Sequence, residues 1–395
     1  MLTIKSLLLR DKNWYYYRKY FEEQDAIRPA VIHSITKILS CKHYTRGYAE
    51  YHCSDSSCTH IKRVKFSCKD RSCSVCGRTA TDKWIAKQKN TLPPCQWQHV
   101  TFTIPSDLWP FFQTDRRLIN ELPKLAAHAL KKIAKKKDVM PGMFMAIHTF
   151  GRKLNWNVHL HVSVTRGGLT KNNEWRTLFF KSKTLMSIWR YAVITLVRKR
   201  MIHGLLSIPG ELHGKNIFHL LERQYDKYWR VHCAKPHKNP KKDIEYLGRY
   251  ITRPAISNAR LMHYDGANVI FDYLDHRTKK NNMIQMEVFD FFDRFTQHIP
   301  ERYFRMIRYF GFLSNRLRGK LLPIVNQIFN HKPKENLKYP WQFLVKQKLG
   351  FNPLECILCR SQMRLGSLSF SLSFRELNLQ HDQLALQKQI RVYPI

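Results

Sequence analysis

Two histidines one residue apart form the pattern in this chain that is best suited to holding a metal ion. His159 and His161 lie in the run Asn157-Val-His-Leu-His-Val-Ser-Val164. Alternating apolar and polar residues predict a β-strand, in which successive side chains point to opposite faces. The two imidazoles then share one face, and the aliphatic residues line the other. The sequence therefore predicts a strand that buries its aliphatic side and presents two ligands.

A predicted hairpin with a polar turn brings a third histidine to this pair. If residues 152–155 form a four-residue loop, Gly151 pairs with Trp156, and the same register places His148 opposite His159. Directly opposed residues of antiparallel strands point to the same face, with Cβ atoms about 5 Å apart. Three imidazole ligands leave coordination positions for a phosphate oxygen and water, as a catalytic divalent cation requires.

A second strand-like run, residues 97–105, contains a competing histidine. His99 shares a strand face with Thr101 and Thr103, and the run stops at Pro105. His99 is a candidate fourth ligand or a hydrogen-bonding partner at a reacting phosphate. We prefer His148 to it as the third ligand.

Two tyrosines provide candidate nucleophiles. Tyr246 and Tyr250 lie four residues apart in a predicted helix, residues 241–252, so they share a face with Cβ atoms about 5–6 Å apart. Tyrosines on amphipathic helices also pack at the edge of a core, which is the alternative. Gly248 inside the helix costs about 1 kcal/mol relative to alanine, which favours close approach of another backbone or of DNA. A phenol beside a metal suggests attack on a phosphodiester.

Five cysteines within one short stretch predict structural zinc. They are Cys53, Cys58, Cys68, Cys73 and Cys76. Tetrahedral zinc takes four ligands from two close pairs, with Zn–S bonds of about 2.3 Å. The preferred set consists of the two closest pairs, Cys53 with Cys58 and Cys73 with Cys76. Buried free thiols are the alternative. The basic residues between the cysteines suit phosphate contact, so this module is expected to bind DNA and not to catalyse.

The remaining cysteines leave alternatives open. Cys68 either replaces one of the four preferred ligands or serves a second ion with His60 and Cys41. Cys356-x2-Cys359 has no second pair after it. It is half of a zinc site completed from elsewhere, a knuckle without a metal, or two ordinary thiols.

Composition limits the class of protein. The 395 residues are 44% apolar and 13% aromatic, which excludes a disordered chain and predicts two or three domains. The 68 Lys and Arg against 29 Asp and Glu give a net charge of +39, spread along the chain. Such a surface favours a nucleic-acid partner; a ribosomal or generally basic protein is the less specific alternative. The lack of a long apolar run or a cleavable leader predicts a cytosolic protein without a membrane partner.

The order of predicted elements indicates an α+β fold. Strands and helices mix without regular βαβ alternation, which favours an antiparallel sheet over a doubly wound one. Helices are predicted at 81–90, 118–137, 183–202 and 241–252, a strand at 229–234, and a hairpin at 269–288.

These motifs together resemble the HUH endonuclease superfamily, and most closely the two-tyrosine rolling-circle transposases of bacterial insertion sequences. The matching segments are 68–76, 99–105, 155–161, 245–257 and 304–313. The resemblance covers about residues 40–325 in the order of the family's motifs. The cysteine pair at 356 and 359 looks like a reduced form of the family's carboxy-terminal cysteine motif, and nothing after about 365 is similar.

The resemblance implies a mechanism. His159, His161 and His148 would hold Mg²⁺ or Mn²⁺ at the scissile phosphate, and Zn²⁺ would be structural. Tyr246 or Tyr250 would attack single-stranded DNA, giving a 5′-phosphotyrosine and a free 3′-OH. The partners implied are single-stranded DNA, insertion-sequence ends and target DNA. A plasmid replication initiator or relaxase of the same chemistry is disfavoured, because the cysteine module precedes the first motif. A zinc-dependent DNA-binding regulator without catalysis is the alternative from another class.

The resemblance also suggests how the chain is divided. Residues 1–92 would form a helical arm and a small zinc-ribbon-like DNA-recognition domain. Residues 93–310 would form an antiparallel-sheet HUH nuclease and strand-transfer domain, in which Arg249 and Arg253 contact DNA phosphates. No structure is assigned to the carboxy-terminal region, 311–395. The expected location is the bacterial cytoplasm, in association with the nucleoid.

Overall fold

A computed structural model of the chain describes residues 2–235, 254–275, 278–333, 342–343, 345–346 and 350–390. The contacts divide the chain into two compact units. Unit 1 comprises Met1–Ala80, Ile256–Ile299 and Glu335–Ile395, and unit 2 comprises Thr81–Ala255 and Pro300–Lys334. Both units are discontinuous in sequence, whereas the domains suggested by the sequence were continuous segments.

The helices and strands are numbered in chain order. The α-helices within the described residues are α1 (Ile4–Leu9), α2 (Asn13–Glu22), α3 (Pro29–Leu39), α4 (Ser74–Thr91), α5 (Trp109–Thr114), α6 (Arg117–Lys135), α7 (Ser182–Ile202), α8 (Ile217–Glu222), α9 (Val288–Thr296), α10 (Asn315–Ile328) and α11 (Phe374–Ile390). The strands are β1 (Tyr48–Cys53), β2 (Ile61–Lys65), β3 (Trp97–Thr103), β4 (Gly142–Phe150), β5 (Trp156–Thr165), β6 (Gly167–Leu169), β7 (Trp175–Thr177), β8 (Val231–Cys233), β9 (Leu261–Tyr264), β10 (Asn268–Leu274), β11 (Asn281–Glu287), β12 (Ile307–Gly311) and β13 (Met363–Ser369).

Unit 1 contains two three-stranded antiparallel sheets. One has the order β13-β1-β2 and the other β11-β10-β9. The hairpin predicted at 269–288 is confirmed as β10 and β11. The helix α9 follows β11 and buries Phe291, Phe292 and Phe295, whose three-and-four spacing places them on one helix face.

Residues 363–390 form a strand and a helix of unit 1, although the sequence predicted no structure for this region. Strand β13 pairs with β1, and α11 follows it. Leu377 of α11 is buried, and the buried Arg18 of α2 forms an ion pair with Asp382. Arg18 also donates to the side chain of Asn378 at 2.8 Å. These contacts hold the last helix against the first part of the chain.

Unit 2 contains a five-stranded antiparallel sheet with the order β12-β4-β5-β3-β8. The prediction of an α+β fold with an antiparallel sheet is confirmed. One face of this sheet packs in a large apolar core with side chains of α6 and α7. The aliphatic face of β5 is fully buried there, as its alternation predicts; its residues are Val158, Leu160, Val162 and Val164. Among the described residues, no helix has the length and apolarity needed to span a membrane.

The hairpin of β4 and β5 sets the position of the histidines. The Gly151 amide donates to the Asn155 carbonyl at 2.9 Å, so the loop is one residue shorter than expected and the predicted Gly151–Trp156 pair is wrong. A bulge just after His148 shifts the register by one residue. The two deviations cancel, and the predicted pairing of His148 with His159 is confirmed.

A glycine allows β12 to lie close to β4. Gly311 has a φ of +64°, and a Cβ at this position would lie 1.7 Å from the carbonyl oxygen of Pro141. Any larger residue would therefore clash with backbone as well as adopt a strained conformation. This contact explains the glycine in the motif at 304–313.

Candidate metal centres and active site

Three histidines converge on one face of the sheet of unit 2. The ligand nitrogens of His148, His159 and His161 lie within 4.8 Å of one another. Nε2 of His159 and Nε2 of His161 are 3.1 Å apart. Two nitrogens bound to one ion at a right angle, with bonds of about 2.1 Å, lie about 3 Å apart. The arrangement therefore fits a single cation, with His148 as the third ligand.

Burial keeps these rings in the form that binds metals. It lowers the pKa of His148 and the pKa of His161 well below the ordinary histidine value, and nearby imidazoles lower both further. Burial also lowers the pKa of His159. Only the neutral imidazole has a free lone pair, so these shifts favour metal binding at neutral pH.

Hydrogen bonds fix the orientation of two of the rings. Nδ1 of His159 lies 2.8 Å from the carbonyl oxygen of Asn157, to which it donates, so Nε2 is left as the ligand. Nδ1 of His161 lies 3.1 Å from Nε2 of His99. Such outer hydrogen bonds select the tautomer of a metal-binding histidine and hold its ring in place.

His99 therefore contacts His161 from outside the three-histidine group. Its Nε2 is also 3.1 Å from Oγ1 of Thr101. Burial, with a smaller contribution from the charges of His232 and His159, lowers the pKa of His99 to about 4. The sequence suggested that His99 is either a fourth ligand or a hydrogen-bonding partner at a reacting phosphate. These contacts fit a hydrogen-bonding role, but the partner of His99 is His161.

The neighbouring edge strand adds one histidine that the sequence reasoning missed. Oγ1 of Thr103 donates to the carbonyl of Arg230 at 2.8 Å, which holds β8 against β3. His232 on β8 pairs directly with Thr101, so it lies on the face that carries the histidine cluster. The signal was present, because the strand predicted at 229–234 alternates the buried Val231 with the exposed His232.

The two candidate nucleophiles and the two candidate phosphate ligands lie outside the described residues. Tyr246, Tyr250, Arg249 and Arg253 all belong to the segment 236–253. Their roles stay predictions from the sequence.

Four cysteines form a compact group in unit 1. They are Cys41, Cys68, Cys73 and Cys76, and all four are buried. The Sγ atoms of Cys41 and Cys76 are 3.7 Å apart, those of Cys68 and Cys76 3.6 Å, and those of Cys41 and Cys73 3.9 Å. Tetrahedral zinc with Zn–S bonds of about 2.3 Å places its sulfurs about 3.8 Å apart. The spacing therefore fits one zinc ion.

A second group of four cysteines lies elsewhere in unit 1. It consists of Cys53, Cys58, Cys356 and Cys359, and their sulfurs also lie within 4.8 Å of one another. Two of these residues come from the amino-terminal part of the chain and two from the carboxy-terminal part. The two groups share no cysteine.

The preferred set of zinc ligands was therefore wrong as a grouping. Cys53 and Cys58 lie in one group and Cys73 and Cys76 in the other, with Cys68 beside the latter pair. The hairpin of β1 and β2 separates the two pairs and brings the first of them to β13. His60, considered a partner of Cys68, instead lies beside the second group.

Comparison with known proteins gives matches along most of the chain. Residues 142–320 match a family model described as a putative transposase, and residues 13–104 match a transposase zinc-binding domain. The chain is 36% identical over 393 residues to the transposase for insertion sequence element IS801 of Pseudomonas savastanoi pv. phaseolicola, covering 98% of this chain and 95% of that protein.

A second relative is the putative transposase y4qJ of Sinorhizobium fredii. It is 28% identical over 322 residues, which cover 78% of this chain and 80% of the relative. No solved structure matches. The identity to the IS801 protein extends over nearly all of both chains, and the two family models match segments that contain the histidine cluster and most of the cysteines. The chain therefore belongs to the IS91 family of transposases, DNA-processing enzymes of mobile elements with a zinc-binding domain.

Proposed function

We propose that this transposase nicks and rejoins single-stranded DNA at the ends of its insertion sequence, through a metal-assisted 5′-phosphotyrosine intermediate. The observation that carries the proposal is the convergence of His148, His159 and His161 on one point. Three protein ligands occupy half of an octahedral shell, and the other half is left for phosphate oxygens and water. A site built only to hold structure would fill its shell with protein ligands.

The three histidines would bind Mg²⁺ or Mn²⁺. The ion would polarise the scissile phosphate and stabilise the negative charge of the transition state. Nitrogen ligands favour Mn²⁺, because Mg²⁺ prefers an oxygen shell. Asn157 and His99 hold the rings of His159 and His161, so the ligand geometry is set before an ion arrives.

Tyr246 and Tyr250 would be the nucleophiles. The tyrosine Oη forms a bond to phosphorus while the P–O3′ bond breaks, and the departing oxygen takes up a proton to become a free 3′-OH. The phosphotyrosine retains the energy of the broken phosphodiester, so a 3′-OH can later attack it and rejoin the strand without ATP. A second tyrosine permits a second transfer while the first adduct persists. Arg249 and Arg253 would hold phosphate oxygens.

We assign recognition of the element ends to residues 1–92 and the chemistry to residues 93–310. Cys41, Cys68, Cys73 and Cys76 would hold one Zn²⁺ in a closed structural site. The net charge of +39 would attract DNA ends and target DNA, and it supports our inference that the protein acts in the bacterial cytoplasm in association with the nucleoid.

The test is an adduct assay with full-length protein, Mn²⁺ and labelled single-stranded DNA from the element ends. We expect a DNA-protein adduct that resists denaturation, and mass spectrometry should locate it on Tyr246 or Tyr250. The double variant Tyr246→Phe, Tyr250→Phe should form none, whereas the control Tyr191→Phe, at an exposed tyrosine of α7, should form it normally. Retention of cognate DNA without any adduct from the intact protein would support the non-catalytic regulator instead.

A further inference from the structure

We propose that Cys53, Cys58, Cys356 and Cys359 bind a second zinc ion, which fastens the carboxy-terminal stretch of the chain to the amino-terminal sheet. Two of these ligands lie far beyond the zinc-binding domain matched at residues 13–104. The ion would complete a zinc ribbon that is assembled from both ends of the chain. This inference does not rest on the proposed function.

The sulfur positions are those of a metal site. Sγ of Cys53 lies 3.3 Å from Sγ of Cys359, and Sγ of Cys58 lies 3.7 Å from Sγ of Cys356. These distances are close to the edge of about 3.8 Å expected for four thiolates around zinc. They are far longer than a disulfide bond of about 2.05 Å. The group matches the spacing of the other four-cysteine group in the same unit.

The carboxy-terminal pair lies on a tight turn that aims both thiols the same way. The amide of Met363 donates to the carbonyl of Leu354 at 2.8 Å, and the amide of Cys356 donates to that of Ser361 at 2.8 Å. The amide of Arg360 donates to the carbonyl of Cys356 at 3.0 Å. Arg360 has a left-handed backbone conformation, with a φ of 64°. Hydrogen bonds thus close a knuckle around the pair, as short zinc-binding loops require.

The amino-terminal pair lies on a comparable turn. The amide of Cys53, the last residue of β1, donates to the carbonyl of His60 at 3.1 Å. The amide of Cys58 donates to the carbonyl of Asp55 at 3.1 Å, and the Asp55 carboxylate accepts from the amide of Ser57. The four residues between the cysteines therefore form a closed turn, which brings the two thiols together.

Backbone pairing places the two turns next to each other. Cys53 pairs with Met363 at the junction of β1 and β13, and the amide of Ser54 donates to the carbonyl of Gln362 at 3.0 Å. Nδ1 of His60 lies 3.1 Å from Sγ of Cys356, where a ring N–H can donate to a thiolate. Hydrogen bonds of this kind stabilise the negative charge of zinc-bound sulfur.

The second cysteine group has only a small apolar cluster beside it among the described residues, so little apart from a metal ion would stabilise this part of the fold. Among the residues that the structure describes, the buried apolar residues of this cluster are Leu354, Cys356 and Met363, with Tyr51 and two cysteines packed against them. So small a cluster contributes little free energy of folding. In small modules of this kind, metal binding itself supplies most of the stability. The proposed ion would therefore determine whether β13 stays paired with β1.

The stoichiometry of tetrathiolate metal sites tests the proposal. Full-length protein is reconstituted with Co²⁺, and the sulfur-to-cobalt charge-transfer band is titrated, because imidazole-bound cobalt does not contribute to that band. We expect two tetrathiolate sites per chain. The variant Cys356→Ser, Cys359→Ser should show one, and the control Cys233→Ser, at a cysteine outside both groups, should show two. A single site in the unmodified protein would overturn the proposal, and this result needs no variant to fold.

Hydrogen exchange tests the fastening role. In the Cys356→Ser, Cys359→Ser variant, the amides of β13 should lose at least tenfold in protection, whereas those of β10 should stay within twofold of the unmodified protein. Unchanged protection of β13 would show that no ion holds this strand. Recovery of Cys53–Cys359 and Cys58–Cys356 as disulfides from protein purified under reducing conditions would also overturn the proposal.

Discussion

The cysteine groups of unit 1 and the histidine group of unit 2 are both suited to metals, but in different ways. Each cysteine group offers four sulfurs, which complete a tetrahedral shell and leave no place for a substrate. The histidine group offers three nitrogens, which leave positions open. The number of ligands therefore separates the two sites suited to structural zinc from the one site suited to a catalytic cation. This difference does not depend on knowing which ion binds.

The two kinds of site also differ in what positions their ligands. The histidines lie on paired strands whose opposite face is fully buried, so the sheet sets their positions. Among the described residues, Cys53, Cys58 and Cys356 contact only a small apolar cluster. Loss of the ion should thus unfold the cysteine modules and leave the histidine sheet folded. The following experiments address this contrast, in order of decreasing expected effect.

The largest effect is expected from Cys68→Ser, because Cys68 is fully buried and belongs to the group whose four cysteines are all buried. Structural zinc in small modules contributes about 10 kcal/mol or more, so the loss of one ligand should remove one zinc and unfold the module. Metal analysis measures the zinc content and circular dichroism measures the loss of folded structure. Cys233→Ser serves as the control. A variant that keeps its zinc and its fold would show that these thiols are ordinary core residues.

In unit 2, His159→Ala should abolish chemistry and spare the fold. Loss of a ligand to a catalytic ion removes several kcal/mol of transition-state stabilisation, or about a thousandfold in rate. Adduct formation should fall by that factor while retention of DNA stays within about twofold. His203→Ala, at an exposed histidine that follows α7, should behave like the unmodified protein. Parallel loss of cleavage and DNA retention would indicate a structural site.

His99→Ala should weaken metal binding and leave the chemical step intact. The variant removes the hydrogen bond to Nδ1 of His161, and such outer contacts are worth about 10–100-fold in metal affinity. The Mn²⁺ concentration for half-maximal cleavage should rise by this factor, and excess Mn²⁺ should restore the rate. His99→Gln, whose amide oxygen can still accept, should be affected less. A lower rate that excess Mn²⁺ does not restore would assign His99 to the DNA phosphate.

The smallest effect concerns the docking of α11 in unit 1. Burial lowers the pKa of His381 to about 4, with smaller contributions in the same direction from Lys5, His43 and Arg18 and an opposing one from Asp382. The folded state then takes up a proton less readily than the unfolded state, whose histidine titrates near pH 6.5. This contribution to stability is present above that pH and is lost as the pH falls toward 4. Urea unfolding at pH 7 and pH 5 should show a smaller decline for His381→Asn, and an equal decline would exclude this residue as the cause.

The sequence predicted the relative positions of the three histidines well because the signals are local. Alternation placed His159 and His161 on one face, and one hairpin related His148 to them. The loop length was wrong, yet a bulge of one residue compensated for it. Strand periodicity and short-range pairing are dictated by side chains close in sequence, so a single sequence carries them. The strand at 229–234 was predicted, but His232 was missed because nothing local in the sequence shows that this strand pairs with β3.

The cysteine groups could not be assigned in the same way. Cys58 and Cys356 are 298 positions apart, and only the pairing of β1 with β13 brings them together. Sequence spacing assigns cysteines that are close in sequence to the same zinc ion. It therefore grouped Cys53 and Cys58 with Cys73 and Cys76, although the hairpin of β1 and β2 separates the two pairs. The segment after 365 gave no periodic signal for its strand and helix. Tyr246 and Tyr250 lie outside the described residues, and their roles rest on sequence alone.

The most direct test of the contrast is electron paramagnetic resonance of Mn²⁺ added to zinc-loaded, full-length protein. Electron spin echo spectra of protein labelled with ¹⁵N-histidine report imidazole nitrogens bound to the ion. We expect one Mn²⁺ per chain, coupled to histidine nitrogens, with the coupling reduced in His148→Ala and the zinc content unchanged. Mn²⁺ that binds without nitrogen coupling, or that displaces the thiolate-bound zinc, would contradict the assignment of the histidines to an open catalytic site.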